Sequence, residues 1–122
     1  MAITNAYAKN NVDLCKDCKK YADRSFEPEE VSDIVCLAYF RGIYNFSVSI
    51  CNVWSTQMDE AKSSEIRSTI QMFKQTAGAG ADLDLDAAIQ VYVNKMGKNP
   101  DTRKYRADYQ VLSSLQQLAP CE

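Results

Sequence analysis

A chain of 122 residues, 46 % hydrophobic and 25 % charged, is long enough to bury one core and has the balance of a soluble globular domain. Its net charge of −2 sets up no field for a polyanion, and no Lys/Arg cluster is interleaved with aromatic residues, which argues against a nucleic-acid-binding class. No apolar run of roughly eighteen residues is free of polar interruption, so no membrane span is expected. The chain has no histidine, which removes the usual general base and the commonest metal ligand, and with them Ser-His or Cys-His catalysis and most zinc sites. Five cysteines suggest an oxidising compartment and leave one thiol over. MAITNAYAKNN has no basic start followed by an apolar block, so export implies a leader already removed.

Met1 to Asn10 show no sustained period and read as a loose arm. Val12, Cys15, Cys18 and Ala22 fall at helical spacing and predict a short first helix from about Asn11 to Arg24, broken at Ser25 and Phe26. Pro28 followed by Glu29 and Glu30 is a helix start, because the ring presets φ and the acids meet the positive end of the dipole. The helix beginning there, rich in Val, Ile, Leu, Tyr and Phe, is expected to be the central and largely buried element. A β-like alternation occurs at Asn45 to Trp54, but no turn residues flank it, so helix is expected to continue to about Gln57, with Cys51 and Trp54 on one side.

An amphipathic helix follows from Asp59 to Thr76, carrying Ile66, Ile70 and Phe73. The composition then changes to Ala-Gly alternation and three acids, which predicts a mobile, exposed and protruding connection. Beyond it Leu85, Ala88, Ile89, Tyr92, Val93 and Met96 form one apolar face, with Asp84 or Asp86 as N-cap and Gly97 in a left-handed C′ position. Asn99-Pro100-Asp101 restarts the chain as N-cap and first turn of a last helix, whose inner stripe is Tyr105, Tyr109, Leu112, Leu115 and Ala119 and which Pro120 ends. The fold class is therefore all-α: one compact domain over residues 1–122, a disulfide-stabilised bundle of about five helices.

Each candidate for chemistry has a plain structural alternative. Cys15-Lys-Asp-Cys18 has redox or metal half-site spacing, but neither the βαβ context of a redox motif nor a second ligand pair is present, which favours a structural disulfide or buried thiol. Asp82, Asp84 and Asp86 resemble part of a calcium loop, yet the glycine and glutamate such a loop requires are replaced by Ala87 and Val93. Helix capping or contact with a protein partner are the readings left. Cys36-Leu-Ala-Tyr39-Phe-Arg-Gly42 sets three residues on one helical face: a bridgeable cysteine, a tyrosine at the core edge and a glycine permitting close helix approach. The aromatic residues Tyr39, Phe40, Tyr44 and Phe46 also admit a carrier or chaperone that holds an apolar ligand, although packed core is the commoner use of such a stripe. No catalytic residue, cofactor or metal site is expected.

C-x2-Y-x2-G at Cys36, Tyr39 and Gly42, then YVNKMGKNPDTR containing Pro100, then LQQLAPC closing on Pro120 and Cys121, resembles the type VI secretion amidase immunity family. Where many members carry Cys-Pro before the penultimate helix, this chain has Ala79-Gly80-Ala81-Asp82. The resemblance implies an all-helical, usually dimeric periplasmic protein that occludes the active site of a papain-like peptidoglycan amidase and so protects the producer and its sister cells. It also implies a Cys36–Cys121 disulfide, with Cys51 as competitor for either partner and Cys15 and Cys18 as the remaining candidates. The inhibitory element such a protein requires is best matched by Gln75, Thr76, Ala77, Gly78, Ala79, Gly80, Ala81, Asp82, Leu83 and Asp84. There the acids would imitate the carboxylates of peptidoglycan stem peptides, while the glycines allow close backbone approach.

Overall fold

The computed structural model describes residues 11–99, 101 and 106–122. Over these the protein is all-α, with five helices: α1 (Asn11–Asp23), α2 (Val31–Glu60), α3 (Ser64–Ala77), α4 (Leu85–Lys98) and α5 (Ala107–Leu118). α2 is the spine, and each of the other four helices packs against it.

α1 buries Leu14, Cys15, Cys18 and Tyr21. The expected stripe is thus rotated: Val12 is 56 % exposed, because the larger Leu14 and Tyr21 take the inner face. The break falls at Ser25 and Phe26, whose φ values of 58° and 60° are left-handed. Tyr21 repays this conformation, its carbonyl accepting the Phe26 N–H at 3.1 Å and its ring meeting Phe26 edge-on at 5.4 Å.

α2 begins at Val31, three residues beyond Pro28, because the start is set by Asp33. The Asp33 carboxylate accepts the backbone N–H groups of Glu29 and Glu30, each at 2.9 Å, which are donors the first turn leaves unpaired. Arg24 grips the same carboxylate through Nε at 3.2 Å and Nη2 at 2.7 Å, tying the end of α1 to the start of α2. The helix runs unbroken through the β-like stretch to Glu60, a little past the expected end. It is central but not largely buried. Cys36, Phe40, Ser47 and Cys51 face the core, and an opposite stripe lies open.

α3 starts at Ser64 instead of Asp59, since the Ser63 hydroxyl caps it by accepting the Ile66 N–H at 3.1 Å. α4 follows the expected pattern: Ala88, Ile89, Tyr92 and Met96 are buried, Leu85 and Val93 pack at the margin, and Asp84 is the N-cap. Gly97 stays inside the helix with no left-handed turn, and Asn99 is the C-cap of α4, not the N-cap of the next helix. Pro100 and Tyr105 lie outside the described residues. α5 buries Ala107, Val111, Ser114 and Leu115; of the expected inner stripe Leu115 and the following Ala119 are buried, Leu112 is half-buried, and Tyr109 turns outward at 65 % exposed.

Phe40 meets Tyr92 edge-on at 5.4 Å in the centre of the core. The Tyr92 hydroxyl donates to Asn11 Oδ1 at 2.9 Å, and Asn11 Nδ2 donates to the Arg106 carbonyl at 3.3 Å. This buried polar node joins the starts of α1 and α5 to α4 and fixes their register.

The disulfides are Cys18–Cys36 and Cys51–Cys121, and the expected Cys36–Cys121 bond does not form. Cys36 faces α1, one side of the spine, while Cys51, further along, meets the chain leaving α5. Cys15 is buried and belongs to neither bond. In the chain-entropy account a bond closing 70 residues stabilises by about 4 kcal/mol and one closing 18 by about 3 kcal/mol. The double substitution Cys51→Ser/Cys121→Ser is therefore expected to lower unfolding free energy more than Cys18→Ser/Cys36→Ser, by about 1 kcal/mol in urea titrations.

Asp33 gives the fold an acid limit. Its carboxyl is held down from 3.8 to about 2, chiefly by the Arg24 hydrogen bond and further by the two backbone donors, against the opposing effect of burial. A depressed carboxyl stabilises the fold fully above its unfolded value and loses that contribution as pH falls through the folded one. Stability is expected to drop between pH 4 and pH 2, and Asp33→Asn to flatten that part of the pH profile, as read by denaturant unfolding.

Candidate functional site

Between α3 and α4 the chain is pinned where the composition suggested mobility. The Ala77 end of α3 passes to Gly78, whose N–H bonds the Lys74 carbonyl at 3.0 Å. The Ala79 N–H bonds the Ser47 carbonyl of α2 at 3.1 Å, and the Gly80 N–H bonds the Ala119 carbonyl at 2.7 Å. Ala79 and Pro120 form an isolated antiparallel bridge. Gln116 Nε2 donates to the carbonyls of Gln75 and Gly78, both at 2.9 Å, and the Tyr44 hydroxyl donates to that of Ala81 at 2.7 Å.

The glycines serve proximity here, not flexibility. Neither has a positive φ. A Cβ on Gly78 would lie 2.9 Å from the Lys74 carbonyl oxygen and 3.2 Å from Cys121 Cβ and Sγ; one on Gly80 would lie 3.0 Å from the Pro120 carbonyl oxygen. The Cys51–Cys121 bond thus holds the strap 78–80 between α2 and the tail of α5. Lys74, buried below, donates to the Glu122 carbonyl at 2.8 Å and closes the same corner.

What emerges from the strap is a short acidic turn. The Leu83 N–H bonds the Ala81 carbonyl at 3.0 Å, a three-residue turn with Asp82 at its apex. Ala81, Asp82 and Asp84 are exposed, and Leu83 packs back on the core. Asp84 Oδ1 accepts the Asp86 N–H at 3.1 Å, so this acid both caps α4 and stands at the surface. Burial, and then the charge of Asp84, push the Asp86 carboxyl above its ordinary range. A shallow depression of about 330 Å³ adjoins the turn, walled by Gly80, Asp82, Leu118, Pro120 and Glu122.

Of the expected contact residues, Gly78 and Ala79 are buried, Gln75 and Thr76 belong to the last turn of α3, and Ala81 to Asp84 form the presented part. The other motif residues lie elsewhere. Cys36 is in the core, Tyr39 packs at its edge with its hydroxyl pKa raised by burial, and Gly42 is exposed with nothing near its Cα hydrogens, so it admits no helix of this chain. The aromatic residues singled out for an apolar ligand are dispersed. Phe40 is fully buried against Tyr92, Tyr44 reaches the Ala81 carbonyl, and Phe46 is 62 % exposed. A feature the sequence reading passed over is the groove of about 400 Å³ where Trp54 stacks on Phe73 at 5.1 Å, with Ile66 and Ile70 beside them. Trp54 and Phe73 lie on different helices, and only tertiary packing brings them together. Among the described residues no group of His, Cys, Asp and Glu is placed to hold a metal ion.

The two disulfides point to an oxidising, extracytoplasmic environment. The molecule belongs to the class of disulfide-stabilised helical bundles. Comparison with protein families, characterised proteins and solved structures finds no match to this chain.

The strap leaves no space for a side chain at its first residue. Gly78→Ala is expected to destabilise the protein by about 1–3 kcal/mol and to speed hydrogen exchange at the Ala79 amide, whereas Gly97→Ala, with open space around it, should leave that amide unchanged.

Proposed function

We propose that this protein is a periplasmic immunity protein of the type VI amidase kind, which binds a papain-like peptidoglycan amidase and covers its active site with the turn Ala81 to Asp84. The observation that carries the reading is that the strap leading into that turn is pinned by hydrogen bonds, with the Tyr44 hydroxyl holding Ala81 itself. A segment already held by the Ser47, Ala119, Gln116 and Tyr44 hydrogen bonds loses little conformational freedom on docking. Asp82 and Asp84 bring two exposed carboxylates to one short turn. A cleft that accepts the free carboxylates of stem peptides offers such groups complementary charge. The protein acts in this account by occupancy, with no chemistry of its own.

A pinned strap suits an inhibitor better than a mobile loop, since a mobile loop loses binding energy to its own ordering. The dispersal of Phe40, Tyr44 and Phe46 leaves the carrier reading without a common pocket.

The test is calorimetric binding of the cognate amidase, with inhibition measured on purified peptidoglycan. Asparagine retains the cap that alanine would lose at Asp84, so Asp82→Asn/Asp84→Asn removes charge and keeps the fold. Affinity is expected to fall at least about tenfold with unchanged thermal stability. Unchanged affinity in the double variant would remove the turn from the inhibitory surface.

A further inference from the structure

α3 is the most amphipathic of the five helices and buries the fewest residues. Ile66, Ile70 and Phe73 fall within roughly 60° of one another around its axis, the pattern of a helix with a face to cover. Only Ile70 of the three is buried; Ile66 is 54 % exposed and Phe73 44 %. The cause is topological, because α3 leans on α2 and scarcely touches α1, α4 or α5.

Trp54 of α2 stacks on Phe73 at 5.1 Å, and the groove of about 400 Å³ runs between the two helices. Its floor is Ile70, one end is the aromatic pair, and the other is polar, with Gln57 and Glu65. Glu65 is the only charged residue that lines it. Among the described residues its carboxylate has no ion-pair partner. Arg67, the nearest cation along the chain, is engaged elsewhere and donates to the carbonyls of Met58 and Ala61 at 3.2 and 3.4 Å.

Shape and charge together select the occupant. A small-molecule site encloses most of its ligand, whereas Ile66 and Phe73 leave this groove open along its length, which suits a segment of chain laid in it. The ridges of two packed helices leave a channel that a third helix fills. Phe73 lies ~12 Å along the axis from Glu65, a little over two turns. A matching helix therefore sets apolar residues against Trp54, Ile70 and Phe73, and a lysine or arginine about two turns away against Glu65. At that end of the helix pair Asp59, Glu60 and Glu65 outnumber Lys62 and Arg67, which disfavours the anionic surface of a bilayer or a nucleic acid.

We infer that the Trp54–Phe73 groove between α2 and α3 is the docking site for an amphipathic helix of a partner protein, one with an apolar face and a lysine or arginine placed to meet Glu65. The groove shares no residue with the turn Ala81 to Asp84, and nothing in the inference rests on what that turn binds.

Trp54 is the only tryptophan in the chain, so its fluorescence reports on this groove alone. The probes are two synthetic helices of about fifteen residues, free of tryptophan and tyrosine, with the same leucine stripe and either lysine or glutamate about two turns along from its first residue. The lysine peptide is expected to shift the Trp54 emission to shorter wavelength and to saturate, and the glutamate peptide to bind at least about tenfold more weakly at low salt. Glu65→Lys should exchange that preference, and Ile66→Asp should remove the response to both peptides, with circular dichroism confirming that each variant keeps its fold. The inference is overturned by the absence of a saturable shift, by equal binding of the two peptides, by an unchanged preference in Glu65→Lys, or by a larger response to anionic lipid vesicles than to the lysine peptide. A Trp54 emission that moves with the concentration of the protein alone would assign the groove to a second copy and overturn it as well.

Discussion

Two covalent bonds to one helix organise this molecule. Cys36 and Cys51 lie about four turns, ~22 Å, apart on α2, and one ties it to α1 while the other ties it to the chain beyond α5. The first and last described helices are thereby fixed to the same rod. α3 and α4 then have to pack in the space that remains. The Arg24–Asp33 pair continues the Cys18–Cys36 corner, and Lys74, Gln116 and Pro120 continue the Cys51–Cys121 corner. Each bond thus sits inside a patch of hydrogen bonds that depends on it for position, and each limits the freedom of the unfolded chain as well.

The parts legible in the sequence are those whose signal is local and repeated. α4 has apolar residues at every inward position and an aspartate at its start, so period and cap agree. The unbroken α2 was legible for a similar reason: without turn residues, a β-like alternation has nowhere to begin or end a strand. α1 was harder, because two adjacent stripes compete and burial of Leu14 and Tyr21 outweighs burial of Val12. The start of α2 at Val31 depends on a carboxylate three residues after the cap and an arginine from the preceding helix, a contact that no local pattern contains.

The cysteine pairing and the strap fall on the far side of that line for a common reason: both are decided by which surfaces meet. Five cysteines allow many pairings, and the distance between sulfurs depends on the rotation of α1 and the path of the chain after Leu118. The Ala-Gly alternation is ambiguous in itself, since small residues serve either a chain that must move or a chain that must be approached closely. Here the neighbours decide. With Cys121 sulfur and the Pro120 carbonyl against them, the permissive residues serve close packing.

Rigidity at that strap and exposure at the adjoining turn are linked through the Cys51–Cys121 bond. Without it the tail after Leu118 is held by the Lys74–Glu122 and Gly80–Ala119 hydrogen bonds, worth about 1–3 kcal/mol each. The bond closes a 70-residue loop and, at about 4 kcal/mol, outweighs either contact. Oxidation therefore does more than raise global stability. It determines whether Gly80 has a fixed wall to bond against, and so bears on where the chain delivers Asp82 and Asp84. A surface whose geometry depends on a disulfide in this way is complete only where disulfides persist, which joins the compartment to the shape of the turn by a single covalent constraint.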